Sequence, residues 1–339
     1  MSDQVFRWGL SSPGSIAVEF TRAIRTAPSA EVVAVASRSL VRAKAFADEH
    51  GIASAYGSLA DLAASPDVDG VYVCSPVHAH SAAVEVIAAA GKAVLVEKPF
   101  AISAAEAELM FATARRRKIF LMEAMWTRFL PAWQQIRALV DGGRIGEVRA
   151  ASANFGFRVV GGPRDDFLLD PAKGGGTLLE IGVYPVQLIQ DYFGTPTQVE
   201  AAIIESETGV DLSVAAALTF GDKIASIQSS ITQMLPSSAT ISGTSGIIQV
   251  PPFFHAARRF EIYTLDGDAE RPFSVEPVDA EPAIGLLAYQ AIHVAERTAK
   301  GEIESDIMSP GDTVAVLRTI EAIRESARSR STLSGGTNE

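Results

Sequence analysis

Cysteine, basic residues and long apolar runs are scarce in this 339-residue chain. The single cysteine, Cys74, excludes an internal disulfide and is typical of a reducing compartment, so we expect a cytoplasmic protein. The 40 Asp and Glu residues outnumber the 29 Lys and Arg residues, which excludes the basic surface that nucleic acid binding requires. No apolar run approaches the roughly 20 residues that cross a bilayer, and no secretory signal opens the chain. We therefore expect neither a nucleic acid partner nor a membrane partner.

Hydrophobic residues make up 47% of the chain, and in its first third they form short runs that alternate with amphipathic segments. Strands are predicted there at residues 5–10, 31–36, 70–73, 93–96 and 119–122. Helical periodicity predicts the connecting helices at residues 16–25, around 43–47, at 82–90 and at 104–115. This order predicts parallel βαβ units in a doubly wound α/β sheet, which binds its ligands at the carboxyl ends of the strands.

The turn after the first predicted strand resembles the dinucleotide fingerprint G-x-G-x-x-G/A. Gly14 fills the second glycine position and Ala17 the last small one, whereas Ser12 replaces the first glycine. The helix amino terminus that follows would supply amides to the pyrophosphate, so we assign Ser12, Gly14, Ser15 and Ile16 to cofactor binding. The alternative is a strand–turn–helix junction that carries glycine for steric reasons alone.

The end of the second predicted strand carries a basic residue where an NAD-binding sheet usually places Asp or Glu. The guanidinium of Arg38 would pair with a 2′-phosphate, and Ser37 would donate a hydrogen bond to the same group. With Arg42 added to this group, the sequence predicts NADP(H). The alternative is a solvated arginine that opens the next helix, in a protein that uses NAD(H).

Two further loops follow predicted strands at the same edge of the sheet. The first begins with Ser75 and Pro76 and reaches His80, and the second is Glu97-Lys98-Pro99. A lysine aimed into the cleft would bind a substrate oxygen and stabilise the charge that develops during hydride transfer. The alternative for Lys98 is a surface ion pair.

These loops, together with four downstream blocks, resemble the Gfo/Idh/MocA oxidoreductases over about residues 6–324. The most specific pieces are Glu97-Lys98-Pro99, Met122-Glu123-Ala124-Met125-Trp126-Thr127-Arg128-Phe129, and the stretch from Gly174-Gly175-Gly176 to Tyr184. Residues 155–158 and 243–246 fit as well. Within the family, the Met-Glu-Ala-Met-Trp-Thr-Arg block is similar to that of the dimeric dihydrodiol dehydrogenase and NADP-dependent D-xylose dehydrogenase branch.

The resemblance implies a role for each of several residues. Lys98 would contact the reacting oxygen, Glu97 would lie at the nicotinamide ribose, and the loop of Ser75, Pro76 and His80 would border the cofactor. Glu180 stands where most members have Asp, and Tyr184 would be the proton donor, its pKa lowered by Lys98. Their spacing of four would place both on one face of a helix that begins at the glycines. Substrate contacts are expected from Trp126, Arg128 and Phe157, with a core position as the alternative for Trp126.

The implied activity is hydride transfer between NADP(H) and the CH–OH or C=O carbon of a sugar, polyol or trans-dihydrodiol. Two alternatives are a non-enzymatic NADP(H)-binding sensor and an NAD-linked sugar dehydrogenase of the same family. The histidines are too scattered for a metal site.

The implied architecture is a Rossmann domain over residues 1–124 and an α+β domain over residues 125–330, with a large open, mainly antiparallel sheet. This second domain would bind the small polyhydroxy substrate and form a homodimer or homotetramer through its sheet. Residues 331–339 are small and polar and are expected to be disordered.

Overall fold

The computed structural model describes residues 5–265 and 273–334. The strands are β1 (Phe6–Leu10), β2 (Ala30–Ala36), β3 (Ser54–Tyr56), β4 (Gly70–Val73), β5 (Ala93–Glu97), β6 (Leu121–Ala124), β7 (Val148–Gly156), β8 (Gln198–Glu205), β9 (Asp211–Phe220), β10 (Lys223–Ser230), β11 (Ala239–Gly243), β12 (Gly246–Val250), β13 (Arg259–Leu265) and β14 (Phe273–Asp279). The α-helices are α1 (Ser15–Ile24), α2 (Leu40–His50), α3 (Leu59–Ala64), α4 (His80–Ala89), α5 (Ala104–Arg117), α6 (Pro131–Asp141), α7 (Asp165–Leu168), α8 (Val183–Phe193), α9 (Ala288–Ala299) and α10 (Pro310–Ser334).

The chain divides into two compact units whose boundaries differ from the sequence-based ones. The first unit comprises Met1–Phe129 and Pro282–Val314, and the second comprises Leu130–Glu281 and Ala315–Glu339. Residues 125–129 and 282–314, which the sequence analysis assigned to the second domain, thus group with the first unit. The physical reason is tertiary packing, because α9 lies against α1, β2 and β5 and the Leu121 amide donates to the Ile303 carbonyl at 3.2 Å.

The first unit contains the doubly wound parallel sheet that the alternating pattern predicts. Its strand order is β3-β2-β1-β4-β5-β6, with every neighbouring pair parallel. All residues of β4 and β5 are buried, as expected for strands covered on both faces. The order reverses between β1 and β4, which is the switch point where such sheets bind ligands. The strand predicted at 119–122 begins two residues later, so Glu123 lies inside β6.

The second unit contains an eight-stranded sheet in the order β14-β13-β12-β11-β7-β10-β9-β8. The β7–β10 pair is parallel and the other pairs are antiparallel. Helix α8 packs on β7 and β10, and buried residues alternate with exposed ones along the middle of β9 and β10. One face of the sheet is thus covered within the chain and the other is open. The predicted fold class, a Rossmann domain followed by an α+β domain with an open sheet, is confirmed.

The last helix extends into the segment for which the sequence analysis expects disorder. Helix α10 continues to Ser334, so residues 331–334 are helical. Residues 335–339 lie outside the described part of the chain. Over the residues that the structure describes, no helix combines the length and the apolar character needed to cross a membrane.

Candidate active site

The turn between β1 and α1 leaves a helix amino terminus open. Gly14 is the residue before the first helical one, with an extended backbone (φ −177°), and no side chain caps the helix. The first amides of α1, from Ser15 and Ile16, are therefore available to an anion. A Cβ atom built on Gly14 would have no heavy atom within 4 Å. Ala17, in contrast, is fully buried. The glycine marks open space for a ligand, and the alanine permits close packing.

The same turn is tied to the end of β4. The Cys74 amide donates to the Ser11 hydroxyl at 2.9 Å, and the Cys74 thiol donates to the Ser12 carbonyl at 3.1 Å. Ser12 does not have a positive φ, so serine replaces the fingerprint glycine without left-handed strain. Burial raises the pKa of the Cys74 thiol to about 11, which keeps it neutral and unreactive.

The end of β2 presents cationic side chains to solvent. Ser37 is half-buried and accepts a hydrogen bond from the Ser39 amide at 3.2 Å, and Ser39 in turn caps α2. Arg38 and Arg42 are exposed, and neither forms an ion pair with any residue in 5–265 or 273–334. Both guanidinium groups are thus free to meet a ligand beside the β2 end.

The loop after β5 carries Lys98, whose side chain is half-buried. Glu97, 6% exposed, accepts hydrogen bonds from the Tyr72 hydroxyl and, at 3.1 Å, from the Lys98 amide. The Lys98–Pro99 peptide is cis. Lys98 therefore lies on a loop at the carboxyl edge of the sheet, and the buried carboxylate of Glu97 holds the backbone of that loop.

His80 connects this loop to the one after β4. Its ring nitrogens lie 2.8 Å from the Ser75 carbonyl and 3.1 Å from the Phe100 carbonyl. Burial lowers the pKa of His80, which is 1% exposed, so the imidazole is neutral and structural. The Ser75 hydroxyl oxygen is buried and has no hydrogen-bond partner in the described part of the chain.

Trp126 and Arg128 lie in the 3₁₀ turn Trp126–Phe129 after β6. Both are half-buried. The Arg128 guanidinium lies 3.1 Å from Asp312 and 3.4 Å from the Met308 sulfur. Arg128 is therefore anchored within the first unit by a carboxylate, and Trp126 is not a fully buried core residue.

The triple-glycine segment in the second unit begins a π-helix and not the expected α-helix. A Cβ on Gly175 would lie 2.4 Å from the Leu168 carbonyl oxygen, and Gly176 has φ +112°. The chain then forms a π-helix over Leu178–Gly182 before α8 begins. The prediction that Glu180 shares one regular helix with Tyr184 is corrected accordingly, because a π turn holds more residues than an α turn.

Glu180 and Tyr184 have different surroundings. A carboxylate oxygen of Glu180, whose side chain is 15% exposed, lies 3.0 Å from an Arg164 guanidinium nitrogen. Tyr184 is 5% exposed, and its ring centroid lies 5.4 Å from that of Phe155 and 5.5 Å from that of His255. Glu180, which stands where most members of the family have Asp, is thus engaged in an ion pair within this unit.

An aromatic cluster extends from Tyr184 along the second unit. The half-buried ring of Phe157 lies 5.0 Å from Phe155 and 6.3 Å from Phe253. Phe253 is 54% exposed and has φ +69°, which is rare for a bulky residue. The sequence analysis missed Phe253 and counted His255 only among the scattered histidines, since their proximity to Tyr184 is long-range. In residues 5–265 and 273–334 no group of three or more His, Cys, Asp or Glu side chains is placed to hold a metal ion.

The residues of the first unit fit a dinucleotide. The uncapped α1 amides suit a pyrophosphate, the space above Gly14 admits it, and the buried Ser75 hydroxyl lacks a partner that a ligand would supply. All three features lie near the carboxyl ends of β1 and β4, at the switch point of the sheet. Fold and site together define a dinucleotide-binding protein of the NAD(P) class.

Comparison with known proteins supports a dinucleotide-binding function and identifies the family. Residues 7–125 match the oxidoreductase family with an NAD-binding Rossmann fold, and residues 133–249 match the GFO/IDH/MocA C-terminal domain. The chain is 39% identical over 326 residues to trans-1,2-dihydrobenzene-1,2-diol dehydrogenase of Homo sapiens, covering 94% of this chain and 96% of that protein. The enzyme of the same name from Xenopus tropicalis is 38% identical, with 91% and 94% covered.

Solved structures give the same fold. A 3-ketoreductase from Actinomadura kijaniata in complex with TDP-benzene and NADP has a TM-score of 0.79 at 26% identity, covering 95% of this chain and 98% of that one. Levoglucosan dehydrogenase in complex with NADH has a TM-score of 0.85 at 19% identity, with 96% and 98% covered, and shares the fold. The chain belongs to the Gfo/Idh/MocA family, and it is an NAD(P)-dependent oxidoreductase.

Proposed function

We propose that this protein transfers a hydride between NADP(H) and the CH–OH or C=O carbon of a trans-dihydrodiol, sugar or polyol. The observation that carries the proposal is the half-buried Lys98, on a loop fixed by Glu97 at the carboxyl edge of the dinucleotide-binding sheet. The relatives at 38–39% identity are named as dihydrodiol dehydrogenases, which supports this substrate class.

In the proposed reaction, NADP(H) held by the α1 amides and the β1–α1 turn would supply or accept the hydride. The Lys98 ammonium donates a hydrogen bond to the substrate oxygen and stabilises the negative charge that develops there. Tyr184 is the proposed proton donor and acceptor, and Glu180, four positions earlier in the sequence, is the proposed catalytic carboxylate beside it. Trp126, Arg128 and Phe157 are the proposed substrate contacts.

The proposal is tested by the change in nicotinamide absorbance when purified protein is mixed with NADP⁺ or NAD⁺ and a panel of trans-dihydrodiols, aldoses and polyols. Turnover of one class supports the enzyme and names its substrate. Tight NADP⁺ binding without turnover of any compound in either direction would instead favour the sensor.

Variants at Lys98 and Tyr184 test their roles. Lys98→Met should lower kcat by about 100-fold or more, the cost of removing one donor to a developing charge. Lys44→Met removes an exposed lysine of α2 and is the matched control, which should retain full activity. Tyr184→Phe should lower kcat by a similar factor. Near-normal turnover by Lys98→Met at saturating substrate contradicts the mechanism.

The preference for NADP(H) is a separate proposal that rests on Arg38. Its exposed guanidinium, two residues after the end of β2, would pair with a 2′-phosphate. Arg38→Ala should weaken NADP⁺ binding by at least tenfold and leave NAD⁺ binding unchanged, as measured by calorimetry. Arg22→Ala, which removes a 65% exposed arginine from α1, is the control. Equal affinities for NADP⁺ before and after the Arg38 change would favour the NAD-linked alternative.

We also propose a homodimer or homotetramer formed through the open face of the second unit's sheet. Exposed apolar residues on its strands support this: Ile204 is 67% exposed, Ile224 56% and Val275 52%. Light scattering coupled to gel filtration measures the mass. Ile224→Lys should dissociate the oligomer, and a monomeric wild type contradicts the proposal.

A further inference from the structure

Glu123 is a buried carboxylate that the mechanism above does not use. It lies in β6 opposite Val96 of β5 and is 3% exposed. A buried carboxylate is costly unless its charge is compensated, and a neutral side chain would fill the same space at less cost. The presence of a buried carboxylate beside the Lys98 loop therefore suggests that its charge has a function.

Both oxygens of Glu123 are engaged. One accepts a hydrogen bond from the Phe100 amide at 3.2 Å, and the other accepts one from the Thr313 hydroxyl at 2.9 Å. Thr313 lies in the first turn of α10 and is fully buried. Glu123 thus joins the Lys98 loop to a distant segment of the same unit.

The loop of Lys98, Pro99 and Phe100 is held through its backbone by two carboxylates. The Lys98 amide donates to Glu97 at 3.1 Å, the Phe100 amide donates to Glu123 at 3.2 Å, and proline has no amide hydrogen to donate. Every backbone N–H in this three-residue loop is therefore bound by a buried acidic side chain. The direction in which Lys98 projects depends on both contacts.

The charge of Glu123 is sensitive to its surroundings. Titratable and charged groups face this region from the neighbouring elements of the unit: Tyr72, His80, Glu97, Lys98, Arg128 and Asp312. Burial, reinforced by the Glu97 charge, raises the pKa of Glu123 to about 7, although the bonds from Thr313 and Phe100 and the charge of Arg128 oppose the rise. Both charge states are thus accessible near neutral pH.

We propose that Glu123 is a positioning residue of the reaction, whose carboxylate holds the loop that carries Lys98 and whose charge state sets the rate at which bound substrate reacts. The inference rests on the proposed role of Lys98. An ionised acceptor makes hydrogen bonds about twice as strong as a neutral one, so protonation loosens the loop. Small displacements of a catalytic group lower kcat strongly and leave cofactor binding little changed.

The first test compares the pH dependence of kcat in wild type, Glu123→Gln and Glu106→Gln. Glu106 is the matched control, because its carboxylate also accepts a loop amide, that of Ile102 at 3.0 Å, but outside the Lys98 loop. Wild type and Glu106→Gln should lose about tenfold in kcat as the pH falls through about 7. Glu123→Gln should lack this ionisation and remain near the acid-limit rate, with an unchanged KM for NADP⁺. An unaltered profile in Glu123→Gln overturns the proposal.

The second test needs neither cofactor nor turnover. Infrared difference spectra of wild type against Glu123→Gln should show a protonated carboxyl band that appears as the pH falls through about 7. Thr313→Val should raise that midpoint, since it removes a hydrogen bond that favours the charged form. Mass spectrometry of acetic anhydride labelling should show a several-fold change in Lys98 reactivity in Glu123→Gln and none in Glu106→Gln. Unchanged Lys98 reactivity in Glu123→Gln overturns the positioning role, even if no substrate is found for the wild type. Absence of wild-type turnover alone counts against the proposed function and not against the positioning role.

Discussion

Asp211 connects three parts of the second unit, and its replacement should be costly. It is 4% exposed, and one carboxylate oxygen accepts from Arg324 through two guanidinium nitrogens at 3.1 and 2.8 Å. The other oxygen accepts from the Leu178 amide at 2.7 Å, at the start of the π-helix. A single side chain thus holds α10 and the segment that leads to Glu180.

The perturbation is Asp211→Asn, which keeps the shape and removes the charge. Breaking a buried ion pair by removing one partner costs about 3–5 kcal/mol, and the 23% exposure of Arg324 lets water offset part of it. We expect about 3 kcal/mol, which corresponds to a Tm about 6–12 °C lower for a unit of this size. Circular dichroism during heating measures the shift.

The control is Glu281→Gln, which breaks the exposed Arg258–Glu281 pair, whose side chains are 52% and 66% exposed. Exposed pairs contribute up to about 1 kcal/mol, so this Tm should change little. A double-mutant cycle of Asp211→Asn with Arg324→Met should show a large coupling energy. Additive effects, or a shift no larger than that of Glu281→Gln, would refute the reasoning.

Three further outcomes concern the first unit. The raised pKa of Glu123 means that the unfolded chain ionises first, so the contribution of Glu123 to stability falls as the pH rises from about 4.5 through about 7; in urea unfolding, Glu123→Gln should therefore gain about 3 kcal/mol relative to wild type across this range. Burial, with the nearby Arg297 charge, lowers the pKa of His293 to about 4, so the contribution of His293 to stability is lost as the pH falls from 6.5 towards that value, and His293→Gln should gain stability relative to wild type over this range. Gly285→Ala would place a Cβ 2.6 Å from the Ala23 Cα and should cost about 1–3 kcal/mol in thermal unfolding, while Gly311→Ala, whose nearest contact is 3.6 Å away, should not.

The sequence predicts well those elements that are apolar and continuous. The β4 run Gly70–Val73 is buried throughout, and its bounds coincide with the predicted ones. Strands β3 and β8 escape prediction for different reasons. The first has only three residues, and in the second only Ala201 is fully buried, so neither shows a clear period.

Candidate site residues of the first unit could be proposed because position along a parallel sheet is itself informative. Lys98 directly follows β5, Arg38 lies two residues after the end of β2, and strand ends form the ligand edge. The π-helix before Tyr184 was not predictable from local sequence, since the partner of its first amide, Asp211, lies 33 positions away from Leu178 in the chain. The hydrogen bond from the Phe100 amide to Glu123 could not be predicted either. The Met122–Phe129 block identifies Glu123 as part of a motif but does not indicate which residue its side chain contacts.

The first unit is discontinuous in sequence, since it includes residues 282–314, and this has a consequence for folding during synthesis. Synthesis runs from the amino end, so the strands β1–β6 leave the ribosome before α9 and Ile303 exist. Until the whole second sheet has been translated, the surfaces of α1, β2 and β5 that α9 covers are exposed to the cell. The nucleotide-binding unit, although first in sequence, is among the last parts to be completed, and a nonsense codon before α9 would leave it without that helix.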